Sequence, residues 1–196
     1  MNIVERAKNI IMTPKTEWPV ISAETPAVNE IMLNYVLPLA LIPALAHVIG
    51  YGIVSGAIVS SSLSVGIAMG LVSFLSAVVG VYITAYVVDF LAPNFSSEKN
   101  LGRAVQLVAY SYTPGWVAGV LYIFPVIGWL AGLAALYGLY LVYLGMPYVM
   151  KTPQDKVVPY LLVTILVVIV VYFVLALILT PIFFGIFGVS AFRGLM

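Results

Sequence analysis

Residues 157–180 read VVPYLLVTILVVIVVYFVLALILT, without one Asp, Glu, Lys or Arg. An apolar run of about 20 residues is the length at which a helix crosses the hydrocarbon of a bilayer. Val, Ile and Leu dominate the stretch, and small or polar residues are few. That is the composition of a helix facing lipid rather than of a pore wall. Further apolar runs cover about residues 31–54, 63–90, 104–122 and 126–145. The chain is 63% hydrophobic and 8% charged, with a mean hydropathy of +1.15, whereas soluble domains carry about 25% charged residues. The expected fold is therefore an all-α integral membrane protein, five transmembrane helices in one bundle with a short amphipathic N-terminal helix. Residues 1–29 form a cytoplasmic or interfacial N-terminal segment, 30–192 the membrane domain, and 181–196 a C-terminal extension at the outer face.

Charge sets the threading. Arg6, Lys8 and Lys15 precede the first run, Lys99 and Arg103 lie between the second and third, and Lys151 and Lys156 lie between the fourth and fifth. Only Arg193 lies beyond the last run. Basic residues in short loops stay cytoplasmic. This places the N-terminus inside and the C-terminus outside, in a cell's inner membrane. The turn around Pro125 carries no charge, so a second topology stands beside this one. In it spans three and four do not fully cross, and the last span inverts.

Composition also excludes functions. The absence of cysteine removes disulfides, thiolate catalysis and Cys-based metal sites. A net charge of +1 with no basic stripe gives no nucleic-acid footprint. A cleavable leader is not expected, since the first 30 residues hold charges of both signs and no apolar core. No nucleophile–base pair, paired carboxylates, phosphate loop or metal-ligand cluster occurs, so neither an enzyme nor a cofactor is expected.

Local signals refine the picture. In residues 2–12, Ile3, Ala7, Ile10 and Ile11 share a helix face, with Glu5, Arg6 and Lys8 expected largely off it. Trp18 beside Pro19 is placed as an interfacial anchor. Pro38 and Pro43 should kink span one, and Pro114 span three, by removing helical donors. Ser60-Ser61-Ser62 reads as a turn, Ala92-Pro93-Asn94 as the stop of span two, and Gly145-Met146-Pro147 as a break ending span four. Four glycine pairs at i, i+4 (Gly52/Gly56, Gly66/Gly70, Gly115/Gly119 and Gly128/Gly132) offer flat faces for close helix approach. Packing within the chain is the simpler reading, and a homo-oligomer the other.

A polar pocket between spans one, three and four is drawn from His47, Asp89, Tyr110, Ser111, Tyr112, Thr113 and Tyr140. His47 is either a titrating group or an imidazole bonded to a loose carbonyl. Asp89 is paired with Arg103 in a salt bridge that clips the loop between them. Pro114 leaves the Tyr110 carbonyl without its helical donor, and Ser111, Thr113 or tyrosine hydroxyls can satisfy it.

The stretches Arg6-Ala7-Lys8-Asn9-Ile10, Thr13-Pro14-Lys15-Thr16-Glu17-Trp18, Ala109 through Pro114 and Leu144-Gly145-Met146-Pro147 resemble the bacterial branch of the Yip1 family. Tyr35 with Pro38 and Pro43, Asp89 with Ala92-Pro93 and Phe95, and Tyr140 extend the resemblance over nearly the whole chain. It implies five membrane spans and a cytoplasmic N-terminus. Eukaryotic relatives act in early secretory traffic with Rab GTPases, a role that transfers poorly to a chain with only about 30 residues before span one. Two functions follow as expectations. The first is a non-enzymatic scaffold binding membrane lipids and other membrane proteins. The second is a solute or ion pathway through the polar pocket.

Overall fold

The computed structural model describes residues 2–25, 27–54 and 63–183, with side chains through Val174 and at Leu177. The expected turn at Ser60–Ser62, Gly56, and the segment from Phe184 through Arg193 lie outside the described residues. Among those described, every regular element is helical. Helices α1 (Ile3–Met12) and α2 (Pro14–Ala23) form an N-terminal hairpin. Asn2 caps α1 by accepting from the Val4 amide at 3.0 Å. Pro14 opens α2 at the position where its missing N–H goes unused.

The body comprises α3 (Val28–Val54), α4 (Leu63–Leu91), α5 (Leu101–Ser111), α6 (Thr113–Ala118), α7 (Leu130–Val149) and α8 (Gln154–Phe183). In α3 the α-helical Leu37–Ile49, which contains Pro38 and Pro43, is flanked by π-helical Met32–Val36 and Gly50–Val54. The Leu37 amide reaches back five residues to the Met32 carbonyl. Pro93 stops α4 in a single 3₁₀ turn, Ala92–Phe95.

Among the described residues, four helices are long and apolar enough to cross a bilayer by themselves, so the five expected spans are matched only in part. The third expected span, 104–122, is instead α5, α6 and a 3₁₀ stretch, Gly119–Ile123. Pro114 has no N–H to carry the helix through, so α5 ends at Ser111. This broken segment still runs the length of the bundle. At its start the Gln106 amide donates to the Ile21 carbonyl at 3.1 Å. At its end the Tyr122 carbonyl lies 2.0 Å from where a Cβ on Gly50 would stand. The fourth span also differs from expectation. Residues 124–129 are turns, and α7 runs through Gly145-Met146-Pro147 to Val149. Pro147 lies two residues before the end of α7, so little helix follows it.

The core sits at the hairpin end, where Ile10, Trp18 and Ile21 pack with Val36, Val88, Leu107, Leu141, Met146 and Tyr160, all at 0% exposure. The opposite extreme is α8. Only 17% of its apolar stretch is buried, against 39% for α3. Val158, Leu162, Leu166, Ile169 and Phe173 form an exposed row at helical spacing. Water does not tolerate so continuous an apolar face, and lipid does.

The loop after α4 is tied to the end of α7, but not by the expected pair. Asp89 and Arg103 form no ion pair among the described residues. Instead the Lys151 ammonium meets Glu98 at 2.6 Å. The Glu98 amide donates to the Met150 carbonyl at 2.8 Å, and Ser97 Oγ to Thr152 Oγ1 at 2.9 Å. The hydrogen bond from Lys151 holds the Glu98 carboxyl below its usual range. A depressed folded value means the tie is present above the ordinary glutamate pKa of about 4.3. It is lost as pH falls through the folded value. Amide exchange at Glu98 should therefore accelerate slightly below about pH 4, and Glu98→Gln should remove that pH dependence. The effect stays small because Lys151 is 75% exposed.

Candidate functional site

The densest polar assembly lies between the N-terminal hairpin and α3–α5, and it is built around a buried arginine. Arg6 is 3% exposed and pairs with both Glu17 and Glu24. Its guanidinium also stands over the Tyr110 ring, 5.4 Å from the centroid. A helical wheel places Arg6 only about 40° from Ile10, four residues on, and so on the inner face of α1 rather than off it. Arg103 donates to the Glu24 carbonyl at 2.9 Å and to Gln106 Oε1 at 3.1 Å. Tyr137 on α7 donates to the Ile11 carbonyl at 2.8 Å. Residues from α1, α2, α5 and α7 thus stitch the hairpin to the bundle.

Trp18 is part of this docking. It is fully buried, with its indole 2.7 Å from where a Cβ on Gly145 would stand. The ring is enclosed by protein and does not lie at a lipid boundary, contrary to the anchor expected from the sequence. Its Nε1 has no hydrogen-bond partner among the described residues.

Beside the arginine, two hydroxyls run in a chain to a backbone carbonyl. Thr113 Oγ1 donates to the Tyr110 carbonyl at 2.8 Å, the group that Pro114 leaves without a helical donor. Its single proton is thereby used, so Tyr35 is the donor in the 2.7 Å contact between their hydroxyls. The Tyr35 and Tyr110 rings meet edge to face, 4.8 Å apart. Thr113→Val should leave the Tyr35 hydroxyl and the Tyr110 carbonyl unsatisfied, at a cost of about 1–3 kcal/mol. Thermal unfolding in mild detergent checks this. Tyr35→Phe, which strands no acceptor that Thr113 does not already serve, should cost less. A polar cavity of about 300 Å³ opens next to this cluster, lined among others by Glu24, Glu30, Asn34, Tyr35, Gln106 and Tyr110.

The remaining residues of the expected pocket are dispersed. Tyr112 is hydrogen-bonded to Thr84 on α4 at 2.7 Å. Ser111 is buried on the α7 side. Tyr140 is 41% exposed and lines a separate groove with Met12 and Lys15. His47 Nδ1 is bonded to the Pro43 carbonyl at 2.7 Å, and its ring lies against Tyr51 and Tyr122 toward the far end of α3. Asp89 lies near the opposite end of α4, and its Oδ1 is buried without a hydrogen-bond partner among the described residues. No group of three or more His, Cys, Asp or Glu among the described residues could hold a metal ion. As pocket residues, Arg6, Glu17, Glu24 and Gln106 did not emerge from the sequence. The signal for Arg6 was its wheel angle, and for Gln106 its place within the apolar stretch 104–109.

The Yip1 domain family model matches residues 8–178, which includes the hairpin from Lys8 onward, the broken helix and most of α8. The chain belongs to the Yip1 family. It is 26% identical over 152 residues to the inner membrane protein YohC of Escherichia coli K12, covering 73% of this chain and 77% of that relative. The same figures hold for YohC of Escherichia coli O6:H1. No solved structure matches the chain. This Yip1 protein is thus a multi-pass membrane protein whose family membership extends through the N-terminal hairpin from Lys8 onward.

Proposed function

We propose that this Yip1 protein is a non-enzymatic scaffold of a bacterial inner membrane. In this reading it crosses five times, with α5, α6 and the following 3₁₀ stretch as the third crossing, the N-terminus cytoplasmic and the C-terminus outside. The one-sided distribution of Lys and Arg supports that orientation. So do the contacts that carry the broken segment from the hairpin to Gly50. The inner-membrane name of the similar protein supports the location.

The observation that carries the scaffold reading is the docked hairpin. It is fixed from beneath by Arg6 and Trp18, while Val4, Met12 and Val20 stand 70%, 71% and 53% exposed on its outer side. Lys8 and Lys15 are exposed among them. A rigid platform with apolar and basic groups outward suits a partner protein or the membrane surface. The polar side chains inside the bundle are engaged in helix packing: Thr113 serves the Tyr110 carbonyl, Tyr35 bonds Thr113, Tyr112 meets Thr84, and His47 bonds its own helix.

One observation favours a pathway instead, a buried Asp89 carboxylate oxygen without a hydrogen-bond partner among the described residues. Sealed proteoliposomes separate the two readings. The scaffold reading expects no ion or solute flux above that of empty vesicles. Flux that Asp89→Ala or His47→Ala abolishes would establish the pathway.

A further inference from the structure

On the side of α5 and α6 that faces α7, small residues leave an apolar groove of about 380 Å³. Gly115 and Ala135 approach across it, 3.8 Å from an added Cβ on Gly115 to the Ala135 methyl. Trp116 and Leu139 wall it, and Ser111 lies within it. Ser111 is 0% exposed, and its Oγ has no hydrogen-bond partner among the described residues. A helical serine ordinarily returns its hydroxyl to a carbonyl one turn back. Here that hydroxyl is a buried orphan on a residue that lines a mostly apolar groove.

The groove opens between α7 and the broken segment, on a surface whose neighbours are lipid-facing: Leu136 is 61% exposed and Leu133 55%. A helix about 10 Å across would fill its volume within about one turn, so its size suits a linear chain rather than a partner helix. Depth supplies the second argument. α4, at 29 residues, spans roughly 43 Å against roughly 30 Å of hydrocarbon. Tyr112, next to Ser111, bonds Thr84 on α4, about 10 Å short of that helix's end. Exposed tyrosines gather near this level, Tyr82 and Tyr86 on α4 and Tyr140 and Tyr143 on α7. Tyrosine marks the membrane–water boundary, the depth at which lipid esters lie.

We infer that this groove holds one acyl chain of a membrane glycerolipid, with Ser111 Oγ donating to the ester carbonyl and Trp116 against the chain. The test is tryptophan quenching in vesicles of phosphatidylcholine brominated in the upper half of its acyl chains. A protein carrying Trp18→Phe and Trp129→Phe retains Trp116, which is only 6% exposed. Its emission should be quenched several-fold more strongly than that of a protein keeping only the enclosed Trp18. Adding Ala135→Phe, a substitution at an exposed position that fills the groove, should bring quenching down to the Trp18 level. Quenching of Trp116 no stronger than that of Trp18 would overturn the assignment. So would quenching that disappears as the protein-to-lipid ratio rises, which would mean that a second protein covers the groove. Should Trp18→Phe fail to fold, native mass spectrometry of the otherwise unaltered chain gives the same decision. Lipid retained by the parent and lost in Ala135→Phe supports the site, and equal retention in both overturns it.

Discussion

Arg6→Ala should destabilise the protein by about 3–5 kcal/mol, the cost of breaking a buried ion pair by removing one partner. Glu17 is the reason. Its side chain is 10% exposed, and Arg6 is the cation bonded to it. Without the guanidinium, α2 must either bury an unpaired carboxylate or leave the bundle. Glu24, 40% exposed, can be rehydrated and contributes less. Losing the α2 contacts would also expose Trp18 and Ile21, so the expected state is a bundle with a released hairpin. Unfolding in mild detergent reads the stability, and limited proteolysis within residues 1–25 reads the release. Arg6→Lys should not rescue fully, because an ammonium cannot fork between two carboxylates as a guanidinium does. Arg6→Met combined with Glu17→Gln should be milder than Arg6→Ala, since no buried charge is left alone.

Of the glycines where α3 and α4 touch each other, Gly66→Ala should be the most damaging, by at least about 1–3 kcal/mol as overpacking. A Cβ there would stand 2.5 Å from the Gly52 amide nitrogen, 2.6 Å from its Cα and 2.7 Å from the Val48 carbonyl oxygen. These are backbone atoms of the facing helix, so no side-chain rotation relieves the clash. The helices must separate, and with them the packing of Val48 against Gly70. Gly132→Ala is the matched control. Nothing lies within 4 Å of its added Cβ, and the change should stay within about 0.5 kcal/mol. Equal effects at the two positions would mean that α3 and α4 do not pack as described.

That contrast shows what the sequence reveals and where it stops. Glycines at i, i+4 announce close helix approach, but only coordinates separate Gly66, wedged on a neighbouring backbone, from Gly132, open on one side. The membrane class was legible because 157–180 has no other stable environment. A kink at Pro114 and the Tyr110 carbonyl it strands were legible because proline's missing donor is a local fact, but that the helix ends there at Ser111 was not. The hairpin was not. Its helix Pro14–Ala23 carries Pro19 and both Lys15 and Glu17, and Glu17 and the following Glu24 are met by Arg6, eleven and eighteen residues away. Local reading assigns such charges to solvent. The same limit scattered the expected pocket: His47 lies against Tyr51 and Tyr122, whereas Tyr110 lies against Tyr35 and Arg6. Gly145-Met146-Pro147 reads as a helix break, yet there Gly145 is the seat for Trp18 and α7 continues past it.

The scaffold reading is tested most directly by crosslinking in intact native membranes, followed by purification in mild detergent and mass spectrometry. The account predicts a stoichiometric foreign membrane protein crosslinked to the parent chain and lost from Arg6→Ala, whose hairpin platform is released. Recovery of the chain alone, or only with copies of itself, in both parent and variant would contradict it.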